Sequence, residues 1–252
     1  MSALDEARTH ALELYPNEAC GLIVRTPDGA DVYVRCGNLS DRPREHFQMD
    51  PSDYADAEEL GAIVAVVHSH PDAAAAPSEG DRVACEAEGH PWHIIGLVLD
   101  AGDDAPHVTG VATLAPSGYE APYIGREFEH GLLDCWTLVR DYYQRERGVT
   151  LPNPRRVDGW WNDSVSDLYS ESAMQEAGFV PVNEKDLAPG DLILMQIRAR
   201  NLVPNHAGIY LGDGQFMHHL YNRLSSRDVY GGYWRETTRG FWRLVGGDHG
   251  TA

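Results

Sequence analysis

Lysine, cysteine and long apolar runs are all scarce in this sequence of 252 residues. Lys185 is the only lysine, and the formal net charge at pH 7 is -19. Because phosphate binding needs a basic face that such an acidic chain cannot easily assemble, we expect no nucleic-acid partner. The four cysteines have no close regular spacing, so we expect no disulfide framework and a reducing compartment.

The apolar runs are too short for a membrane span, since the longest, 62–67 and 94–99, fall far below the roughly 20 residues that a bilayer requires. The N-terminus, Met1 to Arg8, is polar and lacks the apolar segment of a signal peptide. We therefore expect no membrane span, no signal peptide and synthesis in the cytoplasm. With 42% hydrophobic and 23% charged residues, the composition is typical of a folded globular protein.

Apolar periodicity and turn residues predict alternating helices and strands throughout the chain. The predicted helices cover residues 3–15, 53–60, 79–89, 134–147 and 164–177. The predicted strands cover residues 21–25, 31–36, 63–67, 92–99, 191–195, 206–211, 215–219 and 241–245. Residues 112–122 hold two prolines and a glycine without periodicity, so we place a domain boundary there. The sequence thus predicts two domains of the α/β (α+β) class, over residues 1–115 and 120–252.

Two imidazoles and a carboxylate form the first chemical pattern, which reads His-Ser-His-Pro at 68–71 and Ser-Glu-Gly-Asp at 78–81. In an extended chain, residues i and i+2 point to the same side, so His68 and His70 can both reach one ion. Asp81, just inside the next predicted helix, can complete three ligands and leave a fourth position to water. That open tetrahedral arrangement is what catalytic zinc needs.

A zinc hydrolase also needs a proton carrier and an oxyanion donor, for which Glu18 and Ser78 are candidates. A His-x-His pair alone is more often structural, but the complete pattern resembles the signature of JAMM (JAB/MPN) metallopeptidases over residues 1 to about 112. The resemblance implies a helix-flanked β-sheet domain that binds zinc through His68, His70 and Asp81. It also implies that Glu18 is the acid/base and Ser78 the oxyanion donor, for cleavage of a peptide or isopeptide bond.

The second chemical pattern begins at Cys135, which follows Asp134, a residue well suited to cap the predicted helix over 134–147. A thiolate at a helix N-terminus is stabilised by the helix dipole and by free N–H groups, so we expect the pKa of Cys135 to fall from about 8.5. An isolated cysteine in a helix is more often a small buried residue. A thiol nucleophile needs an imidazole beside the sulfur and a third polar group that orients the ring.

A predicted hairpin supplies these groups, with His206 at the head of one strand and two histidines in the other. A two-residue turn at 213–214 would place His206 on the same sheet face as His219, whereas a three-residue loop would place it with His218. Both registers remain open at this point.

The second half of the chain, over about 120–252, resembles NlpC-type cysteine peptidases, which implies a papain-like α+β domain. In that family the orienting histidine follows the base by twelve residues, which favours His218 and keeps His219 as the alternative. The family also has a tyrosine twelve residues before the nucleophile, which implies that Tyr123 lines the oxyanion region. Trp136 departs from the family, where smaller residues often follow the cysteine.

The two modules together resemble the tail assembly protein K family of long-tailed bacteriophages. This resemblance implies a peptidase of the phage tail tip, made in the host cytoplasm during assembly and then carried in the virion tail. Its partners would be other tail-tip proteins, and its substrates the stem peptides of peptidoglycan. Two alternatives stay open: a structural tail-tip assembly protein with vestigial catalytic sites, and a cytoplasmic protein-processing peptidase.

Overall fold

The computed structural model describes residues 2–157, 159–163 and 165–245. Met1, residues 246–252 at the end of the second predicted domain, and Ser164 at the start of a predicted helix lie outside the described residues. The chain forms two compact units, Met1–Glu120 and Ala121–Ala252.

The first unit contains a five-stranded sheet in the order β2-β1-β3-β4-β5, in which β3 runs parallel to β4 and the other neighbours are antiparallel. Its strands are β1 (Cys20–Arg25), β2 (Asp31–Cys36), β3 (Ala62–Pro71), β4 (Trp92–Val98) and β5 (His107–Leu114). Its helices are α1 (Ala3–Leu14), α2 (Pro51–Leu60) and α3 (Glu79–Glu88).

Helices cover both faces of this sheet, because side chains in successive strand positions point to opposite sides. On β1, Ile23 packs in one apolar cluster with Ala7 of α1, while Leu22 packs in another with Ala57 of α2 and Cys85 of α3. The fold is the helix-flanked sheet that the sequence predicted. Strand β3 runs past its predicted end at Val67 as far as Pro71, which places both histidines of the first chemical pattern in the strand.

The second unit contains a six-stranded antiparallel sheet in the order β10-β9-β8-β7-β11-β6. Its strands are β6 (Phe179–Val182), β7 (Leu192–Met195), β8 (His206–Gly212), β9 (Gln215–His218), β10 (Ser226–Val229) and β11 (Thr238–Leu244). Its helices are α4 (Cys135–Arg147), α5 (Glu171–Glu176) and α6 (Tyr233–Thr237). Val139 and Tyr143 of α4 share a buried apolar cluster with Ala207 and Ile209 of β8, so the sheet and α4 form one α+β core.

The sequence-based prediction misses three strands and the short helix α6, and it overextends one helix. The missed strands, β5, β6 and β10, each lie at an edge of a sheet. The helix predicted over 164–177 is shorter, because α5 begins only after its N-cap Ser170, while the Asp163 carboxylate accepts the N–H groups of Val165 and Ser166 in a separate turn. Among the described residues, no helix is long and apolar enough to cross a membrane.

Candidate active sites

Two imidazoles and one carboxylate converge in the first unit. His68 and His70 extend from the same side of β3, and Asp81 lies in the first turn of α3. Nε2 of His68 is 3.1 Å from Oδ1 of Asp81, Nε2 of His70 is 3.4 Å from Oδ2, and the two Nε2 atoms are 3.0 Å apart. These ligand atoms all lie within 4.8 Å of one another, so the three side chains could hold one metal ion.

The surrounding side chains fix this cluster. The ring of His68 is buried and stacks on Phe47, with 4.8 Å between ring centroids, while Trp92 contacts it edge-on. The Asp81 carboxylate accepts the N–H of Ser78 at 2.7 Å, and the Ser78 hydroxyl accepts the N–H of Asp81 at 3.0 Å. This reciprocal capping box starts α3 and points its carboxylate at the imidazoles. Ser78 is exposed, and its hydroxyl proton is not used in the cap.

The electrostatics of Asp81 and His68 suit metal ligation. Burial opposes ionisation of Asp81, but hydrogen bonds from His68 and His70 outweigh it and hold the carboxyl pKa far below its usual range. Burial lowers the pKa of His68. Burial also opposes protonation of His70, yet its hydrogen bond to Asp81 raises the pKa overall. An ionised carboxylate beside a neutral imidazole is the state in which such side chains bind a metal.

Glu18 belongs to the same region of the first unit. It is buried, and its backbone is held on both sides: its N–H donates to the carbonyl of Pro43 at 2.6 Å, and its carbonyl accepts from Asn38 Nδ2 at 3.1 Å. The next residue, Ala19, donates its N–H to the hydroxyl of Ser69, which lies between the two histidines. The Glu18 charge contributes to the raised pKa of His70. Glu18 is therefore held where its charge acts on the cluster.

In the second unit, Cys135 is the first residue of α4. The N-cap residue Asp134 accepts the N–H groups of Trp136 and Thr137, each at 3.0 Å. Arg156 clamps the same carboxylate through two hydrogen bonds of 2.7 and 2.9 Å, and both partners are almost fully buried. The start of the helix, and with it the position of the thiol, is thus fixed by a buried ion pair.

The thiol of Cys135 is half-buried and uncharged. Burial raises its pKa to about 11, and the negative charge of Asp134 adds to this, while a hydrogen bond from the N–H of Ala207 acts in the opposite direction. The hydroxyl of Tyr169 lies 3.8 Å from the sulfur. The lowered pKa that we expected at a helix N-terminus is therefore wrong, because burial and the neighbouring carboxylate outweigh the hydrogen bonds that favour the thiolate.

The structure places His218, and not His219, against His206. Nε2 of His206 is 2.9 Å from Nδ1 of His218, and both rings are buried. On its other side, Nε2 of His218 is 3.1 Å from the Asp228 carboxylate. His219 instead contacts the carbonyl of Arg223 through Nε2, at 3.0 Å. Burial, followed by repulsion from His218, holds the pKa of His206 well below its ordinary value, so this imidazole is neutral.

A β-bulge, which neither of the two registers considered from the sequence included, decides which histidine faces His206. Gly212 pairs with Gln215, so the turn does contain two residues, Asp213 and Gly214, with φ values of 51° and 68° that are typical of a type I′ turn. The register then shifts between Tyr210 and Gly212, and Gly208 pairs with His218. The extra residue reverses the side-chain alternation, so His206 shares a sheet face with His218.

The structure does not bring Tyr123 to this group. Its hydroxyl donates to Glu146 at 3.1 Å, and Arg145 lies over its ring. Those partners are at the far end of α4, about 16 Å along the helix axis from Cys135 at 1.5 Å per residue. Tyr169 occupies the position beside the thiol instead. It comes from an irregular segment, and neither its spacing nor its neighbours in the sequence could have indicated this contact.

Cys135 and His206 line a groove of about 590 Å³. Its walls also carry aromatic and cationic side chains, among them Trp160, Trp161, Trp234, Arg198 and Arg223. Among the described residues that line it, Asp134 is the only carboxylate, and Arg156 pairs with it. The groove is therefore apolar and positively charged, in a chain whose net charge is -19.

Comparison with known proteins finds a matching family for each of the two units. The NlpC/P60 family matches residues 125–243, and the family of prokaryotic homologs of the JAB domain matches residues 1–109. Tail tip assembly protein K of Escherichia phage N15 is 41% identical over 237 residues, which cover 93% of this chain and 91% of the relative. Tail tip assembly protein K of Escherichia phage lambda is 36% identical over 196 residues, which cover 77% and 88%.

Among solved structures, an NLP/P60 family protein of Staphylococcus aureus matches with a TM-score of 0.36 at 17% identity, over 49% of this chain and 38% of that chain. An NlpC/P60 family protein of Bacillus cereus matches with a TM-score of 0.37 at 15% identity, over 92% and 61%. The identity to the phage proteins is high over nearly the whole chain, and on that basis the chain belongs to the tail tip assembly protein K family.

Proposed function

We propose that this chain is a dual peptidase of a phage tail tip. Residues 120–252 form a cysteine peptidase that hydrolyses peptide bonds in peptidoglycan stem peptides. Residues 1–115 form a zinc metallopeptidase that cleaves a peptide or isopeptide bond. Its partners are other tail-tip proteins, and it passes from the host cytoplasm during assembly into the virion tail.

One observation carries the cysteine-peptidase proposal: Cys135 shares a groove with His206, whose ring is hydrogen-bonded to His218. Because the thiol and the imidazole are both neutral at rest, His206 takes the thiol proton as the sulfur attacks the substrate carbonyl. The sulfur and the acyl group then form a thioester, the amine leaves with that proton, and water hydrolyses the thioester. His218 holds the ring of His206 in orientation.

The charge of the groove supports an anionic peptide as substrate. Arg198 and Arg223 are exposed in its walls, and guanidinium groups bind carboxylates through paired hydrogen bonds. Stem peptides carry free carboxylates, and their short side chains fit a groove of about 590 Å³. Trp161, which is half-buried in the wall of the groove, supplies apolar contact area for the peptide.

Zinc is the metal we propose for the first unit, because two imidazoles and one carboxylate are a donor set of hydrolytic zinc sites. When bound, zinc lowers the pKa of water and polarises a carbonyl. His68, His70 and Asp81 would hold it. Glu18, already buried beside the cluster, would carry the proton to the leaving amine. The exposed hydroxyl of Ser78 would donate a hydrogen bond to the oxygen of the scissile carbonyl.

The test is mass spectrometry of purified peptidoglycan after digestion by the wild-type chain, by Cys135→Ala and by the matched control Cys85→Ala, each with and without a zinc chelator. We expect new stem-peptide termini from the wild type and from Cys85→Ala. Cys135→Ala should produce them at least about 1000-fold more slowly, since removal of a nucleophile costs that much or more. The chelator should leave these termini unchanged, because the thiol site uses no metal.

The absence of cleavage in every sample would overturn the cysteine-peptidase proposal and favour a structural role in tail-tip assembly. Termini that persist in Cys135→Ala but disappear with chelator would move the cell-wall activity to the first unit. Cleavage of a folded carrier protein but not of murein would favour the cytoplasmic protein-processing alternative.

A further inference from the structure

His218 uses both ring nitrogens, and its second partner comes from an edge strand. Nδ1 contacts His206 at 2.9 Å, and Nε2 contacts Oδ2 of Asp228 on β10 at 3.1 Å. We propose that Asp228 is a positioning residue that sets which nitrogen carries the proton in both histidines, and so leaves Nδ1 of His206 as the nitrogen that accepts a proton. The catalytic consequence rests on the cysteine-peptidase function proposed above, whereas the proton positions do not.

The proton positions follow from the order of contacts. A carboxylate only accepts hydrogen bonds, so Nε2 of His218 must carry the hydrogen that it donates to Asp228. In a neutral ring, Nδ1 of His218 is then the acceptor, and Nε2 of His206 must be the donor in the 2.9 Å contact. The remaining nitrogen of His206, Nδ1, keeps its lone pair. Each step depends on the previous one, and the chain of contacts begins at Asp228.

The ring of His218 cannot rotate away from these contacts. Phe216 stacks on it with 4.6 Å between centroids, and Trp234 contacts it edge-on at 4.5 Å. The ring has no exposed surface. With its orientation fixed by packing, only the proton positions remain to be set, and a charged acceptor sets them.

The strand pairing brings Asp228 to this place. Ser226 pairs with His218 across β9 and β10, and Asp228, two residues further along β10, lies on the same face of the sheet. The Ser226 hydroxyl is 3.5 Å from the same Nε2, which makes it the weaker partner. About 40% of the Asp228 side chain is exposed, while its Oδ2 faces the buried ring of His218.

The first arm of the test reads proton positions directly and needs no substrate. Long-range 1H–15N spectra of the full chain with 15N-labelled histidine distinguish the two neutral tautomers, and His206→Gln and His218→Gln assign the signals. We expect the Nε2–H form for both histidines in the wild type. In Asp228→Asn, which is isosteric but can also donate, the single Nε2–H signal of His218 should be lost. Arg227→Ala, the adjacent residue on β10, should leave both signals unchanged.

The second arm measures cleavage of a soluble stem peptide. Asp228→Asn should lower kcat about tenfold with little change in KM, as expected for loss of one hydrogen bond to a charged group. Asp228→Glu should recover most of that loss because it restores a carboxylate, and Arg227→Ala should match the wild type.

The Nδ1–H form of either histidine in the wild type would overturn the proposal, as would an Asp228→Asn chain that keeps both the tautomers and kcat. If the wild type cleaves no peptide, the proposed function fails, but the spectra still decide the role of Asp228. A fall in kcat with unchanged tautomers would also count against it.

Discussion

Each unit has an aspartate at the start of a helix beside its candidate site, but the two carboxylates act differently. Asp81, in the first turn of α3, closes the capping box with the N-cap Ser78 and also faces two imidazoles, so its charge is part of the site. Asp134 caps α4 with the thiol next to it in the chain, and its carboxylate is paired with the Arg156 guanidinium. The first unit thus builds a charged site suited to a cation, and the second a neutral site suited to proton transfer. A helix cap can serve as a ligand or as a scaffold, depending on which groups pair with it.

Removing Arg156, the partner of the Asp134 carboxylate, should have the largest effect on stability. Arg156→Met would leave Asp134 buried and unpaired, which should destabilise the second unit by about 3–5 kcal/mol. Urea unfolding followed by tryptophan fluorescence measures this, because five of the six tryptophans lie in the second unit. The control Arg235→Met breaks an exposed pair with Glu184 and should cost less than about 1 kcal/mol. Equal losses of unfolding free energy in the two variants would contradict a structural role for the ion pair of Arg156 and Asp134.

The second largest effect should come from neutralising Asp81, the carboxylate of the proposed metal site, which should weaken metal binding. Asp81→Asn keeps the side-chain shape but removes the charge between His68 and His70, so the Kd for zinc should rise about 100-fold or more. Isothermal titration of chelator-treated protein checks this. Asp103→Asn is the matched control, because Asp103 belongs to an exposed cluster with Asp100 and His107. A wild type that binds no zinc, or a control that weakens binding equally, would contradict the proposed metal site.

The neutral character of the second site predicts its pH dependence. Because the pKa of Cys135 is raised to about 11, the thiolate fraction rises with pH throughout the neutral range. The rate constant for alkylation by iodoacetamide should therefore increase about tenfold per pH unit between about pH 7 and 9. Peptide mapping separates Cys135 from the three buried cysteines. A rate that is already constant above pH 7 would indicate a thiolate–imidazolium pair and remove the contrast between the sites.

The smallest predicted effect is on the stability of α3, whose N-cap residue Ser78 lies beside the first site. Ser78→Ala removes the N-cap of α3 and should destabilise that helix by about 1 kcal/mol, as seen in hydrogen exchange of its amides. Ser78→Asn, which caps helices as well as serine does, should restore the protection. Unchanged exchange in Ser78→Ala would show that the cap contributes nothing to the stability of α3.

The first cluster was predictable from sequence because its geometry is local. His68 and His70 are two residues apart on one strand, and Asp81 lies in the first turn of the helix that follows. The second site is less local, since the partner of His206 depends on strand register. The sequence identified both candidates but could not show the bulge that selects His218.

The errors of the prediction also have physical reasons. Strands β5, β6 and β10 lie at sheet edges, where one side stays exposed and the apolar signal is weak. Pro181 in β6 and Arg227 in β10 illustrate this. The contacts of Tyr169, Arg156 and Asp228 are tertiary, so no spacing in the sequence could reveal them. Burial of Cys135, which reversed the expected pKa shift, is likewise a property of the folded core alone.

Because of the bulge in the hairpin of β8 and β9, the pairing of the catalytic histidines depends on whether the number of residues between them is odd or even. His206 meets His218 because one surplus residue lies between paired positions 210–216 and 212–215. Deleting or inserting one residue there would present the neighbouring side chain, and His219 would replace His218. Two changes of length would cancel each other. The hairpin therefore tolerates changes in loop length only in steps of two, and an odd change disconnects Asp228 from the base without altering any catalytic residue.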